Sequence, residues 1–411
     1  MKPEAIHDRP IRQRHRIIFY LGHLEAFDWN LIARTTLGMD PFDEYFDDLF
    51  AFGIDPVDGG LPSDSPADWP AVAEIEAYNR RIRQTVDRFL RNGALDEEAG
   101  TGLGNGVVFQ VAIEHRLMHA ETLAYMYHWL PFDRKQPQPE APEPPDPEVR
   151  QQQVEIPAGP ATLGIHRDGV SFGWDNEFEL IQVDVPAFEI GAYNVTNKQY
   201  LKFVEAEGYQ DRSIWEEDDW QWIRSHDIRH PQFWRRNGQG WLYRTMFEER
   251  PLAMSWPAYV SHAEASAYAR WAGASLPSEA QLHRAGYGTP EGGERSFPWG
   301  NDAPGPAHGN FDFKRWNPTP VGAFPQGNSA FGVADILGNG WEWTSTVFRP
   351  FEGFERSPFY PGYSADFFDD KHYVMKGGSS RTATCMLRRS FRNWFQTRYP
   401  HIYSTFRCVY A

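Results

Sequence analysis

Apolar positions recur at steps of three and four residues through three stretches of the first third of the chain. Val108, Val111, Ala112, Met118, Thr122 and Met126 predict a helix over residues 107–126, ending before Pro131. Tyr20, Leu24, Phe27 and Leu31 form the stripe of a long first helix over 10–37, and Ile75, Tyr78, Ile82, Val86 and Phe89 that of another over 71–90. Between them, residues 39–69 are acidic and rich in Pro, Gly and Asp, which predicts a long connection with one short helix at most. Four helices, one of them short, predict a bundle able to hold a metal in its interior.

The pattern breaks at residues 136–147, where no hydrophobic residue larger than alanine occurs and proline dominates. This reads as a polyproline-type spacer carrying the domain boundary. Beyond it come short β-like runs at 153–157, 181–185 and 373–376, set among Gly-, Pro- and Trp-rich loops. Helices are expected at 260–271 and at 197–207, the latter opened by Thr196. The predicted fold class is multidomain, α followed by α+β: a helical bundle over 1–135, a linker over 136–150, and a loop-rich α+β domain over 151–411.

Composition narrows the function classes. The net charge of −16 opposes nucleic acid or an anionic membrane as partner, since both need a basic surface. No apolar run approaches a membrane span, and the first residues lack the pattern of a signal peptide. Two cysteines, Cys385 and Cys408, give no disulfide framework, fit a cytoplasmic setting, and are expected to be ordinary buried thiols. Aromatic residues reach 15%, which suits a loop-rich domain held by large side chains or pockets for cations and sugars.

His115 and His119 fall inside the apolar stripe of their helix, one turn apart, so both imidazoles point inward side by side. Buried ring nitrogens need partners. A shared metal ion supplies them; so would carbonyls or water, and the helix by itself leaves both readings open. His23, flanked by Phe19, Tyr20 and Phe27 on the first helix, is the candidate third ligand. Glu121 lies about 200° around the helix from His119 and is expected not to be a ligand.

The second domain resembles the formylglycine-generating-enzyme (sulfatase-modifying) fold, related to C-type lectins. The resemblance rests on Asp175-Asn-Glu, Tyr193-Asn-Val-Thr-Asn-Lys-Gln-Tyr, Leu276-Pro-Ser-Glu-Ala, Pro320-Val-Gly-Ala-Phe-Pro, Asp335-Ile-Leu-Gly-Asn-Gly-Trp-Glu-Trp-Thr, Lys376-Gly-Gly-Ser and Thr405-Phe-Arg-Cys. The first domain resembles a DinB-like four-helix bundle, and its His115-x-x-x-His119-x-Glu121 is similar to the signature of the ergothioneine sulfoxide synthases. That non-haem iron family uses O₂ to join sulfur or selenium to the imidazole of hercynine, trimethylhistidine. The resemblance implies Fe(II) held by His23, His115 and His119; the same three ligands also suit zinc. It further implies that residues 390–400 reach the iron site, with Asn393 and Trp394 contacting hercynine and Phe395 as a further aromatic face. An amide can bond a carboxylate, and an aromatic face attracts a trimethylammonium group.

The chain also departs from the family. Members that use γ-glutamylcysteine carry an acid directly after the tryptophan and an arginine four residues later. Here Phe395 and Tyr399 occupy those positions, and Arg398 is one place off. Met118 stands where a glutamine is common, and of the phenols near the family's proton-donating tyrosine Tyr360 and Tyr363 come closest. No catalytic residue is assigned. The missing charged clamp points to the selenium branch of the family, the selenoneine synthases, whose donor is a selenosugar. The expected partners are therefore hercynine, a selenosugar or thiol, and O₂. Three alternatives remain open: a thiol donor (cysteine or γ-glutamylcysteine), a zinc-dependent DinB-type thiol transferase, and a lectin-like binding protein. The oligomeric state is not legible.

Overall fold

The computed structural model describes residues 1–52, 61–92, 106–168, 170–238 and 240–410. Residues 53–60 of the expected long connection lie outside the described residues. The chain forms two compact units: Met1–Pro137 with Ser357–Pro361, and Gln138–Arg356 with Gly362–Ala411. Among the described residues, no helix is long and apolar enough to cross a membrane.

Among the described residues the first unit is built on four α-helices: α1 (Ile17–Asp28), α2 (Glu44–Phe52), α3 (Val72–Asn92) and α4 (Val107–Trp129). α1 is central and packs against the other three. It buries Ile17, Ile18, Phe19, Tyr20, Gly22, His23, Glu25 and Ala26, whereas Leu24 and Phe27 of the expected stripe are only half-buried. A helix with neighbours on several sides is covered nearly all round, so a single-stripe reading understates it.

α1 is also shorter than the sequence pattern implies. Residues 10–16 are held in turns by buried Asp64, which accepts from Arg16 Nε at 2.9 Å, from Trp69 Nε1 at 2.7 Å and from Arg9. Past Asp28 the helix widens into a π-helical run, Trp29–Thr36. α3 follows its pattern closely, burying Ile75, Tyr78 and Ile82 on one face. One short helix, α2, stands in the connection before it, packed on α1.

The second unit is made of short strands. β1 (Gln153–Ile156), β4 (Phe188–Gly191) and β12 (Val409–Tyr410) form an antiparallel sheet that joins the start of the unit to its end. β2 (Gly159–Leu163) pairs with β3 (Ile181–Val185), and β5 (Trp234–Asn237), β6 (Gly240–Arg244) and β7 (Glu249–Pro251) form a meander. A four-stranded sheet runs β10 (Asn393–Gln396), β9 (His372–Lys376), β8 (Trp341–Val347), β11 (Ser404–Thr405), with β11 parallel to β8. Three of its helices, α5 (Asn197–Glu205), α7 (His262–Trp271) and α8 (Glu279–Tyr287), each open with a Ser or Thr cap and a Gln or Glu three residues later, so two otherwise orphaned donors are bonded reciprocally. α6 (Glu217–Ser225) starts without a side-chain cap bond. α8 lies on β2 and β3, and Leu282, Ala285, Ile156, Val185, Ile190, Val333 and Ile336 close the core between them.

With so little regular sheet, buried ion pairs carry much of the order. Arg407, fully buried, binds Glu342 with two bonds of 2.7 Å and donates to the carbonyls of Gly191, Ala192 and Ala334. One guanidinium thereby fastens β8, the end of β4 and the 334 loop. The proline-rich stretch is not a bare spacer from residue 138 onward. Glu140 accepts from Trp316 N at 2.7 Å, and Glu143 accepts from Trp256 Nε1 at 2.7 Å. Those two acids are what distinguish it from a plain polyproline tract. Cys408 is buried, but Cys385 is exposed, contrary to the expectation of two buried thiols: it sits in the short turn Thr384–Met386 at the surface.

Replacing Arg407 by Ala leaves Glu342 charged in a dry interior, which is expected to cost about 3–5 kcal/mol of stability. Urea unfolding measures it; a loss below about 1 kcal/mol contradicts the fastening role.

Candidate metal centre

α1 contributes His23 and α4 contributes His115 and His119, the only group of three or more His, Cys, Asp or Glu among the described residues whose donor atoms cluster with metal-ligand spacing. His119 Nε2 stands 3.2 Å from His23 Nε2 and 3.1 Å from His115 Nε2, and the three donor atoms lie within 4.8 Å of one another. The ring planes cross at 60°, 72° and 81°, so the rings converge edge-first on a common point rather than stacking. Edges of 3.1 and 3.2 Å are the spacing two nitrogens take when both bind one ion at about 2.1 Å. Three neutral nitrogens, two pairs of them at this spacing and all within 4.8 Å, fit a divalent first-row metal and leave coordination positions for small molecules.

Burial sets the charge of the trio. Desolvation pushes the His23 imidazole down to about 4, against a raising bond from the Phe50 carbonyl and a lowering effect of His15. Desolvation likewise holds His115 well below its usual range, helped by His119, His23 and Arg116, and holds His119 down, helped by His23 and Arg14. All three therefore present lone pairs at neutral pH without first losing a proton. The surroundings are aromatic. Phe27 stacks on His115 at 3.5 Å, Phe19 on His23 at 4.6 Å, and Tyr20 tilts against His119 at 5.6 Å.

Tyr360 belongs to this helical unit, its ring 5.3 Å from Phe27 and 6.1 Å from His115. Burial raises its pKa, so the group stays a phenol at neutral pH. Tyr363 does not share this place: it lies in the second unit, stacked on Trp174 at 3.8 Å.

In the second unit, β10 carries the other expected site residues. Strand alternation sends Trp394 to one face and Asn393 and Phe395 to the other. Trp394 stacks on Phe348 at 4.3 Å and meets Tyr363 and Phe367 at 5.2 and 5.5 Å, a cluster of electron-rich faces suited to a quaternary ammonium. Asn393 Oδ1 turns back to accept from Trp394 N at 2.9 Å. Phe395 instead stacks on Tyr399 at 5.2 Å, away from the Trp394 face.

Residues 138–411 match the sulfatase-modifying factor enzyme 1-like domain. Hercynine oxygenase of Mycolicibacterium smegmatis is 35% identical over 317 residues, covering 74% of this chain and 72% of that protein. Hercynine oxygenase of Mycobacterium tuberculosis is 40% identical over 236 residues, 56% of this chain and 54% of that protein. Ergothioneine biosynthesis protein 1 of Neurospora crassa is 29% identical over 489 residues, 99% of this chain and 55% of that protein. The chain belongs to the hercynine oxygenase family. It spans about half the length of the M. tuberculosis and N. crassa relatives.

Within this hercynine oxygenase-family chain, the arginine nearest the expected donor clamp is otherwise engaged. Arg398 Nε donates to Asp219 at 2.7 Å and its Nη2 stands 3.4 Å from Asp218, both on α6. Sequence reading missed the charges behind the trio. Arg116, the residue after His115, donates to Asp28 at 2.5 Å and lies 3.4 Å from Glu25, which Arg83 also binds. These pairs tie α4 and α3 to α1 beside the three histidines. Glu25 and Asp28, three apart on an otherwise apolar helix, were the available signal.

Because the imidazoles are already neutral, Co(II) affinity is expected to stay flat between about pH 7.5 and pH 6 and to fall only nearer pH 4–5. Competition titrations across that range check this; a steep loss centred near the ordinary histidine value of about 6.5 contradicts it. His115→Ala is expected to abolish stoichiometric binding, measured by metal analysis after dialysis.

Proposed function

We propose that this chain is a non-haem Fe(II), O₂-dependent enzyme that joins selenium from a selenosugar to the imidazole of hercynine, giving selenoneine. The oxidative class rests on the trio and on the hercynine oxygenase relatives. An Fe(II) ion held by His23, His115 and His119 supplies the O₂ binding and redox capacity that the reaction needs. Zinc fits the same nitrogens but lacks redox chemistry, and the likeness to hercynine oxygenases favours iron.

The selenium donor rests on one observation: the charged clamp for a zwitterionic peptide is missing. Phe395 packs on Tyr399 where an acid and an arginine are expected, and Arg398 is committed to Asp218 and Asp219. A sugar donor needs hydroxyl-bonding groups and ring faces instead. The relatives' names favour a second reading, the same chemistry with a thiol donor such as cysteine or γ-glutamylcysteine.

The chain's own residues take the remaining roles. The Trp394 cluster holds the trimethylammonium group of hercynine, and Asn393, its Oδ1 occupied by Trp394 N, offers Nδ2 to the carboxylate. Tyr360, neutral and beside His115, is the proton donor of the helical unit. Phe395 supports β10 through Tyr399 rather than touching substrate.

Reaction of the Fe(II)-loaded protein with O₂, hercynine and either a selenosugar or a thiol, followed by mass spectrometry, tests the donor. Turnover with a thiol and none with the selenosugar overturns the selenium reading. Tyr360→Phe is expected to lower kcat roughly 10²-fold or more with little change in the KM for hercynine. Trp394→Ala is expected to raise that KM about tenfold or more, the loss of a cation–π contact of about 1–2 kcal/mol.

A further inference from the structure

The three ligands are not held alike. His23 Nδ1 donates to the carbonyl of Phe50 at 2.6 Å, whereas the buried Nδ1 atoms of His115 and His119 have no hydrogen-bond partner among the described residues. Phe50 lies in the last described turn of α2, Glu44–Phe52, and turns its carbonyl to His23.

The carbonyl reaches His23 because α2 sits very close to α1. A Cβ on Gly22 would lie 2.6 Å from three atoms of the Phe50 ring, so only glycine permits this approach. Two further contacts hold α2 there. The Phe50 ring is fully buried among Phe46, Trp69 and Tyr78. Asp47, one turn earlier on α2, accepts from Tyr78 Oη at 2.7 Å and from Trp29 Nε1 at 3.2 Å, pinning the helix to α3 and to the continuation of α1.

We propose that the end of α2 is an orienting device for the metal centre. The Phe50 carbonyl fixes His23 in the Nδ1–H tautomer, with its Nε2 lone pair facing the ion position before any metal arrives, and Gly22 is the positioning residue that makes this possible. His23 is then the preset ligand, and His115 and His119 complete the site around it. A backbone acceptor on the far ring nitrogen fixes ring orientation and raises ligand basicity, and losing such a partner typically weakens metal binding 10- to 100-fold. The inference rests on reading the trio as a metal centre and is independent of the donor's identity.

The test uses the full chain with Co(II) as probe and no turnover. Gly22→Ala is expected to weaken Co(II) binding roughly 10- to 100-fold while far-UV circular dichroism is unchanged. Ring-¹⁵N NMR of the metal-free wild type, with His23 assigned by substitution, is expected to show a single Nδ1–H tautomer for that residue, lost in Gly22→Ala. A folded Gly22→Ala protein with wild-type affinity overturns the proposal. So does a wild-type His23 protonated on Nε2 or averaging between tautomers, a readout that decides the matter even if the variant does not fold. Failure of the wild type to bind Co(II) at all overturns the metal-centre reading itself.

Discussion

Three imidazoles bring their ring nitrogens together, His119 Nε2 standing 3.2 Å from His23 Nε2 and 3.1 Å from His115 Nε2, so two lone pairs cannot face each other there without something between them. A proton, a water or a metal must sit at the meeting point. Desolvation removes the first as a charge carrier, since protonating any ring would place a cation beside two like dipoles in a low-dielectric interior. A divalent ion answers the constraint best, because it satisfies three lone pairs at once. The aromatic packing of Phe19, Tyr20 and Phe27 follows from the same need: rings can cover imidazoles without adding further polar groups to satisfy.

That arrangement demands rigidity from a unit with few helices, and charge supplies part of it. The Arg116, Glu25, Asp28 and Arg83 pairs lock three helices together, with Arg116 next to His115 and Glu25 two residues from His23. The second unit follows a parallel logic with different residues. Its strands are too short to order themselves by ladder bonds, so Arg407 with Glu342, Arg392 with Glu279 and Arg388 with Glu177 tie distant loops together. Arg392 is two residues before Trp394 and also donates to the carbonyls of Asn176 and Arg349, which fixes the approach of β10. Breaking such pairs is costly because each leaves a stranded charge.

Several elements were legible because local signals agreed with the final packing. α3 has one buried face and a clean period; α5 begins where Thr196 caps it; β1, β3 and β9 match their apolar runs. α1 differs from its pattern in extent and in buried face, since the residues before it answer to Asp64, some fifty positions away, and its flanks are covered by three helices. Phe395 follows Trp394 directly and reads as a second ligand-facing ring, but the two-residue period of a strand turns the two to opposite faces. Cys385 reads as an ordinary apolar residue and is exposed because a turn carries it outward.

The sequence by itself determined that two histidines share a helix face, that a third stands on another helix, and that a loop-rich second domain follows a helical first. Those are consequences of spacing, which periodicity reports directly. Only the tertiary structure decided that the third imidazole comes within 3.2 Å of His119 and within 4.8 Å of both partners, that Tyr360 rather than Tyr363 lies beside them, and that the Phe50 carbonyl reaches His23. Each of these depends on contacts between residues far apart in the chain, where local propensity carries no information and packing alone fixes the geometry.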